Sequence, residues 1–357
     1  MDALLRRCLE LGARLARPGE LTERAFLNGK LDLAQAEAVA DLIESATTLG
    51  ARLAVRSLQG AFSQRIEVAI EQLIRARTYL EATLDFPEEE IGPLTDTHLA
   101  SDLDGIVDLI EETLSLAHQG ERIRDGLRVV IAGPPNAGKS SLLNTLSQTD
   151  AAIVTPIPGT TRDVLQVDIQ VDGLPVRLVD TAGLRETAEI VEQEGVRRAR
   201  EQLTQADRVL WVYDGTADLD VSLLAELPPA IAITLVRNKV DIAGPAARSQ
   251  SSLGYPEIAV SALTGLGLDN LRAHLKEVAG VGAQVEGAFL ARRRHLDALT
   301  RGLDALRAAR LALERGADAE LVALDLREAQ EAFGEITGAF TSEDLLGRIF
   351  SSFCIGK

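Results

Sequence analysis

From Leu31 to His118, apolar residues recur at helical spacing almost without interruption. Ile66, Ile70, Leu73 and Leu80 fall on one face of one predicted helix, and Leu99, Leu103, Ile106 and Ile110 on one face of another. Between them "DFPEEEIGPLTD" breaks the period: Pro87 and Pro93 interrupt helix, and the acidic run predicts a solvated turn.

The pattern changes at "GERIRDG", residues 120–126. Short β-branched runs now alternate with helical segments: "RVVIAG", "PVRLVDTAG", "RVLWVYDG", "IAITLVRNK" and "EIAVSAL". Such runs predict buried strands of a mostly parallel sheet with helices on both faces. After "AGVGAQVEG" helical spacing returns, through Leu296, Leu299, Leu303 and Leu306 and then Val322, Leu326, Ala329, Phe333 and Ile336. The order helix, α/β, helix predicts an α/β domain inserted into one helical domain whose halves pack together; three consecutive domains are the alternative.

Composition narrows the classes. The 357 residues are 46% hydrophobic, enough for ordinary cores, yet no apolar run approaches the ~20 residues of a bilayer span. Two cysteines, Cys8 and Cys354, cannot build a disulfide framework, and no signal-peptide pattern opens the chain, so a cytoplasmic location is expected. The net charge of −17 is the wrong sign for gripping a nucleic-acid backbone over a wide surface. Any nucleic acid would be held mostly by a partner. Four scattered histidines give no zinc-type spacing.

"GPPNAGKS", Gly133 to Ser140, follows a predicted strand and opens a predicted helix, the context a phosphate loop needs. Candidate nucleotide contacts there are Asn136, Ala137, Gly138, Lys139, Ser140 and Ser141. Lys139 would reach the β and γ oxygens and Ser140 would ligate Mg²⁺. "DTAG" ends another strand: Asp180 would hold the metal through its water, with Thr181, Ala182 and Gly183 near the γ-phosphate. "NKVD" supplies Asn238, Lys239 and Asp241, whose carboxylate can accept from guanine N1–H and the exocyclic amine, a pair adenine lacks. "SAL" closes the base pocket with Ser261 and Ala262. "PIPGTTRD" supplies the first switch, Pro156, Ile157, Pro158, Gly159, Thr160 and Thr161, preceded by Thr155, with Thr161 the second Mg²⁺ ligand. Four patterns at four strand ends predict GTP as ligand. The expected fold class is an α-helical domain with an inserted α/β P-loop GTPase domain. After "DTAG", where a glutamine commonly orients water, stands Leu184. Spacing alone leaves Glu186, Glu189, Glu192 and Glu194 open for that role.

The whole set resembles the MnmE (TrmE) family of tRNA-modification GTPases. The resemblance is carried by "PGELTERAFLNGKLDLAQAEAVADLI", "SLQGAF", "GPPNAGKSSLLN", "GTTRDV", "DTAGLRET", "RNKVD", "FLARRRHL" and "EITGAFTSEDLLGRIFSSFCIGK", in that order. It implies a GTPase working with the FAD- and NADH-using partner MnmG (GidA). Together they would place an aminomethyl or carboxymethylaminomethyl group on carbon 5 of the tRNA wobble uridine, with a tetrahydrofolate derivative as one-carbon donor. It implies Glu192 as the catalytic glutamate, acting through a bridging water, and K⁺ held by Asn136, Thr155, Ile157 and Thr160 where two GTPase domains meet. Family folate contacts fall on Lys30 and Lys357, and Cys354 in the "FCIGK" ending becomes a candidate nucleophile toward the uridine or the one-carbon unit.

"PGELTERAFLNGK" lies near the end of the family's folate-binding domain but begins here at Pro18. Only a remnant of that domain, which also forms the family homodimer, is therefore expected. The expected boundaries are 1–28 for the remnant, 29–122 and 281–357 for the two parts of the helical domain, and 123–280 for the GTPase domain. A GTP-gated assembly switch, for example in ribosome maturation, is the alternative function that the nucleotide motifs alone leave open.

Overall fold

The computed structural model describes residues 2–85, 96–149, 165–180, 203–228, 231–243, 254–280, 287–339 and 349. The chain divides into two units: one made of Met1–Ser45, Gly50–Glu121 and Gly287–Lys357, the other of Ala46–Leu49 and Arg122–Glu286. The helical unit is thus discontinuous in sequence, and the α/β unit is inserted into it.

Helices α1 (Asp2–Glu10) and α2 (Glu20–Leu27) precede α3 (Leu33–Glu44), α4 (Thr48–Leu58), α5 (Ala61–Asp85) and α6 (Asp96–Asp125). A reciprocal cap starts α3: Asp32 Oδ1 accepts from the Gln35 N–H at 2.8 Å, and Gln35 Oε1 accepts from the Asp32 N–H at 3.0 Å. The predicted helical faces are the buried ones, with Ile66, Leu73, Leu103, Ile106 and Ile110 at 0% exposure. No described helix is long and apolar enough to cross a membrane.

The α/β unit runs β1 (Leu127–Ala132), α7 (Lys139–Thr149), β2 (Leu165–Val171), β3 (Leu174–Asp180), β4 (Arg208–Asp214), a 3-10 turn (Val221–Glu226), β5 (Ile233–Asn238), α8 (Val240–Ala243), β6 (Glu257–Ala259) and α9 (Leu268–Val278). The sheet order is β2-β3-β1-β4-β5-β6, parallel throughout except for the β2–β3 pair. After β1 the chain builds one side through β2 and β3, then crosses to the other at β4. The crevice beyond the carboxyl end of β1 is therefore a topological switch point, where α/β sheets bind ligands.

Strand β2 is an antiparallel edge not anticipated from the sequence. Its "LQVDIQV" alternates apolar and polar residues, unlike the continuous apolar runs of the central strands. Asp172 and Gly173, with φ of 48° and 92°, make the two-residue turn into β3 that Asp-Gly favours.

Helices α10 (Arg293–Glu314) and α11 (Ala319–Thr337) return the chain to the helical unit, where α11 packs along α10 and on α5. One apolar core joins residues from α5 and α6 to residues from α10 and α11. Phe62 of α5 stacks on Phe289 with ring centroids 4.5 Å apart. Close approach is made possible by Gly302, where an added Cβ would sit 2.2 Å from the Phe333 ring.

Beside this core lies a buried ionic cluster. Glu37, on α3, has a side chain 2% exposed and receives both Arg294 Nε and Nη2, at 2.9 and 2.7 Å. The Arg294 guanidinium also donates to the carbonyls of Glu335 and Ile336, at 2.9 and 3.2 Å. One turn on from Glu37, Asp41 accepts from Arg292 Nη2 at 2.7 Å. His295 Nδ1 accepts the Arg292 N–H at 3.1 Å, which leaves the ring proton on Nε2, 2.8 Å from Glu37 Oε2. The "FLARRRHL" stretch is thereby explained residue by residue: Phe289, Leu290 and Ala291 are buried, Arg292, Arg294 and His295 hold carboxylates of α3, and Arg293 is 81% exposed.

Burial pushes the Glu37 carboxyl up, but His295 and Arg294 more than offset it and hold it below the usual carboxylate range. Burial, then Arg294, pushes the His295 imidazole down against the pull of Glu37. Both shifts favour the deprotonated group in the folded chain, so the unfolded chain binds more protons and stability falls on acidification. The fall begins near pH ~6.5, where an unfolded histidine protonates, and continues below ~4.3, where an unfolded glutamate does.

Removing one partner of a buried pair costs about 3–5 kcal/mol, whereas an exposed substitution stays within ~0.5 kcal/mol. Glu37→Ala should therefore destabilise the helical unit by the larger amount and Arg293→Ala by the smaller. Urea unfolding followed by far-ultraviolet circular dichroism checks this, with the single tryptophan, Trp211 on β4, reporting the α/β unit separately. Equal losses for the two variants would contradict the assignment.

Candidate nucleotide-binding site

The loop from β1 to α7 passes hard against its neighbours. Gly133 has φ 143°, and an added Cβ would lie 2.0 Å from the Val212 carbonyl oxygen of β4. Gly138 has φ 91°, and its Cβ would lie 2.2 Å from Asn238 Nδ2. Asn136 also takes the left-handed conformation, with φ 61°, which asparagine tolerates better than most residues. Lys139 Nζ donates to the carbonyls of Gly133 and Pro134 at 3.0 and 2.8 Å, fixing its charge over the loop. Because α7 begins at Lys139, its first-turn N–H groups and dipole add positive potential at the same place. Asn136, Ser140 and Ser141 are exposed there, and Ala137 is buried.

The base-side loops are tied to the phosphate loop through Asn238, which ends β5 and is 2% exposed. Its Nδ2 donates to the Ala137 carbonyl at 2.9 Å, and its Oδ1 accepts the Ala262 N–H at 3.0 Å. Thr145 of α7 adds a second tie, donating to the Ala262 carbonyl at 2.7 Å. Buried Ser261 accepts the Thr264 N–H on its hydroxyl at 3.1 Å and tightens the loop further. Both ends of the Asn238 amide are engaged inside the protein, and Asp241, in the first turn of α8, is exposed.

Sequence reasoning missed Asp214. The "WVYDG" run looks like a strand and nothing more, yet Asp214 ends β4 opposite Asn238 and holds Lys239 Nζ at 2.7 Å. Hydrogen bonds from Lys239 and Thr216 bring its carboxyl down to about 2. The available signal was an Asp-Gly pair at the carboxyl end of a strand.

Asp180 ends β3 with its backbone beside Ile131 of β1, which places it at the same carboxyl edge. Its side chain lies outside what the structure describes, as do Thr155, Pro156, Ile157, Pro158, Gly159, Thr160, Thr161, Thr181, Ala182, Gly183 and Leu184. Glu186, Glu189, Glu192, Glu194, Cys354 and Lys357 also lie outside the described residues. Lys30 is exposed in the turn after α2, its N–H donating to the Ala25 carbonyl at 2.9 Å. Of the terminal block that ends in "FCIGK", Ile349 is described, and it packs against Leu33, Ala36 and Ala40 of α3. Among the described residues no group of three His, Cys, Asp or Glu side chains could hold a metal ion. A magnesium ion at exposed Ser140 fits this donor set only by completing its shell with phosphate oxygens and water, as Mg²⁺ commonly does beside nucleotides.

Comparison with known proteins agrees with this geometry. The family model described as the MnmE helical domain matches residues 33–354. The tRNA modification GTPase MnmE of Chromohalobacter salexigens is 53% identical, and that of Pseudomonas fluorescens 56% identical. Each alignment covers 100% of this chain and 80% of the relative. Among solved structures, the G domain of the T. maritima FeoB iron transporter is 31% identical over 43% of this chain and 98% of that one; its TM-score of 0.35 adds nothing to the assignment. With a family model over most of its length and relatives this similar along all of it, the chain belongs to the MnmE family of tRNA modification GTPases.

Proposed function

We propose that the chain binds GTP at this site and hydrolyses it to GDP and phosphate as part of a tRNA-modifying complex. The observation that carries the proposal is the buried Asn238 amide, which ties the phosphate loop to the "SAL" loop just ahead of Asp241 in the chain. The Asp241 carboxylate would accept from guanine N1–H and the exocyclic amine. Lys139 and the amino end of α7 would stabilise the charge that spreads over the transferred phosphoryl oxygens. Magnesium, held by Ser140 and Thr161 with Asp180 acting through water, would supply further neutralisation of that charge.

Leu184 cannot orient a water molecule; the family resemblance gives that role to Glu192, acting through a bridging water. Asn136, Thr155, Ile157 and Thr160 would hold K⁺ where two GTPase domains meet across their switches, adding positive charge near the transition state. The hydrolytic cycle would drive rearrangement of the helical unit and of MnmG, whose FAD serves the modification at carbon 5 of the wobble uridine. Lys30 and Lys357 are the candidate contacts to a tetrahydrofolate donor, and Cys354 is the candidate nucleophile. The net charge of −17 supports tRNA being held mostly by the partner, and a cytoplasmic location suits such a complex.

Asp241→Asn tests the base assignment. An amide can donate to the C2 carbonyl of xanthine but cannot accept twice from guanine, so GDP affinity should fall at least ~100-fold while xanthosine diphosphate affinity rises. A variant that keeps its preference for guanine would contradict the assignment, as fluorescence titration of both nucleotides would show. Glu192→Ala should abolish single-turnover hydrolysis and leave GDP affinity within about twofold, whereas the unaltered chain should turn over faster in K⁺ than in Na⁺. Undiminished hydrolysis by the variant would remove Glu192 from its role, and equal rates in the two salts would remove the potassium site.

A further inference from the structure

Outside the motifs just described, one segment touches the chain where β5 passes into α8. Asp214, Gly215 and Thr216 leave the carboxyl end of β4, parallel to the strand that ends in Asn238. The Gly215 N–H donates to the Asn238 carbonyl at 2.7 Å. An added Cβ at Gly215 would meet that same oxygen at 2.7 Å, so the approach requires glycine. Both oxygens of Asp214 are engaged: Oδ2 receives Lys239 Nζ at 2.7 Å, and Oδ1 receives the Thr216 N–H and hydroxyl at 2.9 and 2.7 Å.

The residue held in this way is strained. Lys239 has φ 64°, a left-handed conformation that disfavours a side chain with a Cβ and that a long side chain gains nothing from by itself. Its backbone is the link between β5 and α8, and Asp241 lies two residues further on. Were Lys239 to relax toward the ordinary right-handed or extended regions, the first turn of α8 would be redirected and the Asp241 carboxylate with it. The Asp214–Lys239 pair is about a third exposed on each side, so its direct contribution to stability is small. Geometry, rather than stability, is where it can matter.

We propose that Asp214 is a positioning residue for guanine recognition: it holds the Lys239 ammonium while Gly215 holds the Asn238 carbonyl, and together they fix the left-handed turn that presents Asp241. This rests on the reading of the site as a GTP pocket. Asp214 acts through Lys239 and Asp241 rather than by touching the nucleotide.

The test uses the full chain with GDP as the probe. Asp214→Asn keeps an acceptor for Thr216 but loses the charge that holds Lys239. It should weaken GDP binding and raise the KM for GTP about tenfold, equivalent to about 1.4 kcal/mol, with kcat at saturating GTP within twofold. Thr216→Val, which removes one of the two bonds to Oδ1, should give a smaller rise of two- to threefold. A merely structural role would instead lower the thermal midpoint and leave the KM unchanged. Unaltered GDP affinity in Asp214→Asn, or a loss confined to kcat, would overturn the inference. Absent GDP binding by the unsubstituted chain would overturn the GTP reading and this inference with it.

Discussion

Asn238 has one side-chain amide and almost no access to water, so both ends of that amide must find partners inside the protein. It finds them on two different loops, the Ala137 carbonyl of the phosphate loop and the Ala262 amide of the "SAL" loop. Leaving either end unpaired would cost about 1–3 kcal/mol, so the two loops are held in one relation. The rest of the site follows from that relation. Gly138 is glycine because the amide of Asn238 occupies the space a Cβ would need, and Thr145 of α7 repeats the tie to Ala262. Loops that are far apart in sequence are thus prearranged by the protein's own hydrogen bonds, and such prearrangement limits what a ligand would have to order.

The helical unit obeys the same rule with charges in place of amides. Glu37 is buried on an alanine-rich helix, and its partners Arg294 and His295 lie beyond the whole inserted unit, 257 residues further on for Arg294. A carboxylate left there alone would be several kcal/mol out of balance, so α3 is fully stable only with the segment after the insertion in place. The contact is also long-range, and its formation closes a chain loop that spans the inserted unit.

Much of this was legible in the sequence because the patterns carry their own geometry. Helical spacing gave the buried faces of α5, α6, α10 and α11, and the glycine and lysine positions of "GPPNAGKS" announced a phosphate loop between a strand and a helix. Three features were not legible. Strand β2 escaped because an edge strand is half polar, although its alternation and the Asp172–Gly173 turn were both present. The burial of Glu37 escaped because a glutamate among alanines usually faces water, and only its partners across the insertion say otherwise. Asp214 escaped because its role is to hold another residue, Lys239, and such positioning has no motif of its own. Asn238 sits at the end of β5, and its side chain ties two loops together, a role that its motif does not reveal.

The central claim is that a single buried amide holds the phosphate loop and the "SAL" loop in one relation, on which nucleotide affinity depends. Hydrogen exchange at the Ala262 amide, compared between the unsubstituted chain and Asn238→Ala with GDP affinity measured on the same samples, tests it most directly. The account predicts faster exchange at Ala262 together with a GDP affinity at least ~10-fold weaker, since one buried hydrogen-bonding partner is lost from each loop. Unchanged protection of Ala262 with full GDP affinity in Asn238→Ala would contradict it.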